Sequence, residues 1–161
     1  MAPLVLDSSS LITLGRGAAL DLLAPSPHQA LTVAEVYRET VEVGLAKGRP
    51  DSAECNSAFE RGLITLQEPR RAEKLAGISL ADSLVLHLAE EVRAGQLLTN
   101  DKTLFRKAEE RGLPVADTAA FVQDLHVSGR IPRERRDSLL KDFVARGRYT
   151  AEFMQAFLLG R

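Results

Sequence analysis

Several acids in this chain stand where they could act together. Asp7 ends an apolar run in "LVLDSSSLITL", and Asp101 follows another in "LLTND". Asp82 opens an amphipathic segment in "SLADSLVLHLA", and Glu35, Glu39 and Glu42 lie just after "ALTV". Clustered carboxylates repel and raise one another's pKa unless a cation neutralises them. A hard, oxygen-seeking ion suits such a set, namely Mg²⁺ or Mn²⁺. Such an ion holds phosphate oxygens and activates water for in-line attack. The chemistry expected is metal-dependent phosphoryl or phosphodiester transfer.

Each acid alone has an ordinary explanation. Asp7 and Asp101 are of the type preferred at helix N-caps. Ser79 with Asp82 reads as a capping box, and an acid in a first turn suits the helix dipole. Thr32 and Glu35 also have capping-box spacing, which accounts for Glu35. Glu39 and Glu42 both lie off the apolar stripe, and periodicity does not separate them. The ligand reading needs a helix cap other than Asp7. Ser10 is the expected one, leaving the Asp7 carboxylate for a cation and Ser9 facing the site.

The elements must then bring these acids to one edge. Short apolar runs predict strands at Leu4–Leu6, Ala30–Val33, Gly62–Gln67, Gln96–Thr99 and Leu113–Ala116. Helical spacing predicts helices from Ser9 or Ser10, over Val33–Leu45, Asp51–Arg61 and Ser79–Arg93, and over Lys102–Arg111. Gly95 is the expected stop of the fourth. Three more fill the end: Thr118–Val127, Pro132–Ala145 and Thr150–Leu159. Strands alternating with helices imply a parallel sheet covered on both faces. In such sheets, sites form outside the carboxyl ends of the strands. Asp7 and Asp101 fall there directly. Asp82 and the glutamates sit on helix starts facing the same edge.

The 161 residues suit one domain, with an α/β part over 1–117 and a helical part over 118–161. Hydrophobic content is 45% and charged content 27%, which fits a soluble globular class. A formal net charge of −1 gives no overall pull on a polyanion, so any nucleic-acid contact must be local. Lys102, Arg106, Lys107 and Arg111 share one helix and are candidates. Residues 130–148 add seven basic groups against three acids. Cys55 is the single cysteine, and the three histidines do not cluster, so a zinc site of usual spacing is not expected. His87, within the strongest helix, reads as a packed histidine. Phe143, Phe153, Met154 and Phe157 read as core or partner-facing groups. No signal peptide or membrane span is evident, and a cytoplasmic location is expected.

With these residues in view, the chain resembles a PIN domain, the nuclease domain of VapC-type toxins. The likeness runs through "LVLDSSSLITL", "LTVAEVYRETV", "ISLADSLVLHLAEE" and "LLTNDKTLFRKAEERGLPV". It implies a three-layer α/β/α fold around a parallel sheet. It also implies RNA phosphodiester hydrolysis with Mg²⁺ or Mn²⁺. Asp7, Glu39, Asp82 and Asp101 match the family's four acids, with Glu42 a rival to Glu39. Ser9 matches a small polar residue near the first acid. Thr99 and Asn100 match those ahead of the fourth. An antitoxin partner and a homodimer are further implications. Ser10, Phe105 and Asp117 depart from the pattern, where proline, alanine and glycine are frequent. A PIN-like domain that binds RNA or protein without cutting is the alternative. A haloacid-dehalogenase-like site would need a second aspartate where Ser9 stands.

Overall fold

The computed structural model describes residues 2–24, 28–147, 149–153 and 155. Leu4–Leu6 form β1, buried throughout, and Ala30–Thr32 form β2, also fully buried. Unbroken burial is what a central parallel strand requires, because helices cover both faces. Thr65–Leu66 (β3), Gln96–Leu98 (β4) and Val115–Ala116 (β5) complete the sheet. All four pairings are parallel, in the order β3-β2-β1-β4-β5. Each strand falls inside its expected run and is the same length or shorter.

The chain steps outward from β1 to β2 and β3, then returns to place β4 on the other side of β1. The reversal makes the carboxyl ends of β1 and β4 the natural site of a crevice. Helix α1 (Ser8–Arg16) follows β1 and is succeeded by a 3₁₀ turn at Leu20–Leu23. After β2, α2 (Ala34–Tyr37) runs into a π-helical stretch (Arg38–Val43) and a last turn, α3 (Gly44–Ala46). Helix α4 (Pro50–Glu60) starts on a proline, whose missing N–H is an orphan there anyway. Gly44 is needed where α3 meets α4: a Cβ there would stand 1.8 Å from Ser52 Oγ. Helices α5 (Leu80–Glu91) and α6 (Lys102–Glu110) flank β4 in sequence. Helices α7 (Thr118–Val127) and α8 (Arg133–Ala145) follow β5. One helical layer joins α1 to α4 and α7, with α8 on α7; the other joins α5 to α2 and α6.

Two local expectations are corrected. Thr32 caps nothing: its Oγ1 donates to the Leu6 carbonyl at 2.7 Å, bridging β2 to β1. Val33 is the N-cap residue of α2, and the Ala34 N–H is taken by Glu68 Oε2 instead. Glu35 pairs with Arg38. Gly95 does not stop α5. Arg93 takes the left-handed turn, at φ 52°, and the Ala94 N–H closes on the Ala89 carbonyl. Gly95 is instead packed on Ala2, 3.0 Å from where its Cβ would be. His87 is buried as expected, its Nε2 donating to the Glu73 carbonyl at 2.9 Å. Phe143 is core, whereas Phe153 is 42% exposed. The expected helix Thr150–Leu159 lies partly outside the described residues, as do Met154 and Phe157. Its described part is helical over 151–153.

Candidate active site

The turn after β1 fixes the first acid. Asp7 is 1% exposed and occupies the N-cap of α1, where its Oδ1 accepts the Ser10 N–H at 2.9 Å. Ser10 therefore is not the cap. It is buried, and its hydroxyl donates back to the Asp7 carbonyl at 3.1 Å. Capping and facing the site turn out to be compatible, because a carboxylate has two oxygens and about four lone-pair positions. The second oxygen, Oδ2, accepts from Thr99 Oγ1 across the β1–β4 crevice. Ser9 Oγ lies 2.9 and 2.8 Å from the two oxygens of Asp7. Its single proton can serve only one of them at a time.

The β4–α6 turn is built on the same atoms. Ser9 Oγ accepts the Asn100 N–H at 2.8 Å, and Thr99 Oγ1 accepts the Asp101 N–H at 3.0 Å. Asp101 caps α6 through Oδ1, 2.9 Å from the Leu104 nitrogen, and is otherwise exposed. Asn100 points the other way. Its Nδ2 donates to Thr13 and Thr118 at 3.1 and 2.8 Å, and its Oδ1 accepts from Thr118 N and from the Tyr149 hydroxyl at 2.9 and 3.2 Å. One side chain thus ties α1, β4 and the starts of α7 and the C-terminal segment.

Glu39 lies in the π-helical stretch, half-buried, and its Oε2 accepts from Ser8 Oγ at 2.9 Å. Glu42 is exposed on the same stretch. π-Helical turns shift side chains out of α register and recur at functional sites. Asp82 stands in the first turn of α5, capped by Ser79, whose Oγ accepts the Asp82 N–H at 3.1 Å. Burial pushes the Asp82 carboxyl up to about 7, and repulsion from Asp7, Asp101 and Glu39 adds to the shift. Burial also raises Asp7, against hydrogen bonds that favour its charged form. Asp82 therefore feels the other three acids matched by sequence.

The donor set suits a hard divalent cation, and repulsion among these acids adds to the burial that raises the Asp82 carboxyl. Among the described residues no three His, Cys, Asp or Glu side chains form a ready-made metal shell. The PIN-domain family model matches residues 3–160. The chain belongs to the PIN-domain family. Nuclease activity is the general property of PIN domains, and it accords with an acidic cluster at the carboxyl edge of the sheet. No curated protein matches the chain. No helix among the described residues is long and apolar enough to cross a membrane.

Outside the acids, this PIN domain sorts its cations clearly. Lys102 and Arg106 are exposed on α6 beside Asp101 and form no ion pair among the described residues. The basic stretch after residue 130 is different. Arg136 is fully buried, bonded to Asp137 and Gln123. Arg135 pairs with Asp21 at 3.0 Å, Arg133 with Asp137 and Arg146 with Asp142. These groups brace the helical end of the fold. Asp117, an unexpected acid in the family pattern, caps α7 through the Ala120 N–H at 2.9 Å. Sequence reasoning missed Ser8, Thr13, Thr118 and Tyr149. Only spatial contact marks them, since Tyr149 is 49 positions from Asn100.

Proposed function

We propose that this PIN domain is a Mg²⁺- or Mn²⁺-dependent ribonuclease that hydrolyses RNA phosphodiester bonds. One observation carries the reading. Asp7 is buried at the carboxyl end of β1, and Thr99 Oγ1 both donates to its carboxylate and accepts the Asp101 N–H, so two of the acids are tied together at that edge; burial, and after it repulsion from Asp7, Asp101 and Glu39, pushes the nearby Asp82 carboxyl up to about 7. Asp7, Glu39, Asp82 and Asp101 are the residues that would hold the cation. When bound, the cation supplies Lewis-acid chemistry: it strengthens a water nucleophile and offsets charge on the phosphate and the leaving oxygen.

The chain's own groups do the positioning. Thr99 and the Ser10 N–H hold the Asp7 carboxylate in one orientation, which lowers the reorganisation needed at the moment of reaction. Ser9 can release its proton from either Asp7 oxygen to the other and still hold the Asn100 N–H. Ser8 keeps Glu39 aimed at the same edge. Lys102 and Arg106 offer unpaired positive charge to the phosphates on either side of the cleaved bond.

The sequence likeness extends to VapC-type toxins. A toxin role, an antitoxin that covers the acids, a homodimer and a cytoplasmic place belong to this proposal, as does action of residues 1–161 as one domain. Neighbouring genes test the toxin role. The chemistry is tested by calorimetric titration with Mn²⁺ followed by an RNA cleavage assay. Binding of Mn²⁺ that Asp7→Asn removes, with cleavage by the parent, is the expected result. Binding without cleavage supports the non-catalytic alternative, and no binding overturns the metal site.

A further inference from the structure

Next to Asp101, α6 and the C-terminal segment enclose an open groove of about 680 Å³. Its size is in the range of small-ligand sites. Phe105, Tyr149 and Phe153 line it together with Lys102 and Arg106, and both cations are exposed. The rings of Tyr149 and Phe153 stack, 5.2 Å apart and within 10° of parallel. Phe143 sits behind Tyr149, with ring centres 6.1 Å apart.

Tyr149 is held in place by polar contacts to Asn100, which precedes Asp101, and to the start of α7. Its hydroxyl donates to Asn100 Oδ1 at 3.2 Å and accepts the Ala119 N–H at 3.1 Å. The Tyr149 ring is thus fixed before any ligand arrives, which removes an ordering cost from binding. An aromatic platform beside unpaired basic groups is the arrangement that binds single-stranded nucleic acid: bases stack, and the phosphates between them meet the cations. Glu109 and Asp117 also line the groove and disfavour a phosphate at those positions. Backbone charge is therefore confined to Lys102 and Arg106, and the uncharged base is left for the interior.

We propose that this groove binds one unpaired nucleobase of the RNA strand, between Phe105 and the Tyr149–Phe153 pair. Lys102 and Arg106 contact the adjoining phosphates. The inference rests on the ribonuclease reading and adds to it a reason why the strand must be single. A base held in a duplex cannot enter, so paired RNA is excluded from the acids by the groove rather than by the acids themselves.

The test is fluorescence anisotropy with a labelled ten-nucleotide oligouridylate, in EDTA to prevent cleavage. An oligomer of the same length that is abasic at every position carries the same phosphates and no base. The base-bearing strand should bind the parent about ten-fold more tightly than the abasic one. Phe105→Ala and Phe153→Ala should each erase that ratio, and Phe153→Tyr should retain it. Equal binding of the two strands by the parent overturns the proposal, whatever the variants do. Mn²⁺-dependent cleavage by a parent that ignores the abasic change sinks the groove alone. Base-dependent binding without cleavage keeps the groove and sinks the ribonuclease reading.

Discussion

Ser8 Oγ donates to Glu39 Oε2 at 2.9 Å, joining the first turn of α1 to the π-helical stretch after β2. The contact selects between two glutamates that periodicity leaves equal. Glu39 is half-buried and raises the Asp82 carboxyl; Glu42 is exposed and does neither. Glu39→Gln should lower the rate of Mn²⁺-dependent RNA cleavage by about a hundred-fold or more, as loss of a charge-stabilising group in a site does. Glu42→Gln should stay within about two-fold of the parent. Initial rates on one RNA substrate compare the two directly.

Asp82 links the site to stability. Its carboxyl titrates near 7 in the folded protein and near 3.8 when unfolded. Between these values the folded state binds more protons, so this group's contribution falls as pH rises through that window. Above pH 7 the ionised Asp82 costs stability. Asp82→Asn should stabilise the metal-free protein at pH 8 by about 1–2 kcal/mol, after discounting the shift for solvent screening, and change little at pH 4. Urea unfolding at the two pH values measures the difference. The proton at Asp82 also competes with a cation, so Mn²⁺ affinity should fall about ten-fold per unit below pH 7. Titration calorimetry at pH 6 and 8 reads that loss.

The α/β plan was legible because its signals are local. Leu4–Leu6 and Gln96–Leu98 are unbroken apolar runs, and Leu80–Glu91 carries an apolar stripe ending in a turn. The proposed acid set follows from the same local signals, because strand ends and helix starts can be placed along one sheet edge. The detail of Asp7 does not. Local pattern sets cap against ligand, while Oδ1 accepts the Ser10 N–H and Oδ2 accepts from Thr99 Oγ1. Thr32 looked like a cap by spacing, yet its hydroxyl found the Leu6 carbonyl on a neighbouring strand. Such contacts depend on tertiary neighbours and leave no trace in local pattern. The same holds for Tyr149 on Asn100.

The ion-paired cations give a contrast in salt dependence. Arg135 is engaged by Asp21, whereas Lys102 and Arg106 are unpaired. Replacing both Lys102 and Arg106 by Gln should flatten the log–log salt slope of single-stranded RNA binding by about 1.4, or roughly 0.7 per phosphate contact. Arg135→Gln should leave the slope unchanged. An equal effect from Arg135→Gln would return the basic C-terminal helices to the interface.

Asn100 is predicted to matter for folding as well as placement. Its side chain bonds Thr13, Thr118 and Tyr149. Asn100→Ala leaves partly buried partners unsatisfied and should cost about 1–3 kcal/mol in urea unfolding. Tyr149→Phe removes one hydroxyl and should cost about 0.5–1.5 kcal/mol.

The most direct measurement is the rate at which purified parent and Asp82→Asn cleave single-stranded RNA with Mn²⁺. The parent should cut, EDTA should stop it, and Asp82→Asn, folded and at least as stable at pH 8, should be slower by about a thousand-fold. Cleavage by Asp82→Asn at the parent's rate would contradict the account.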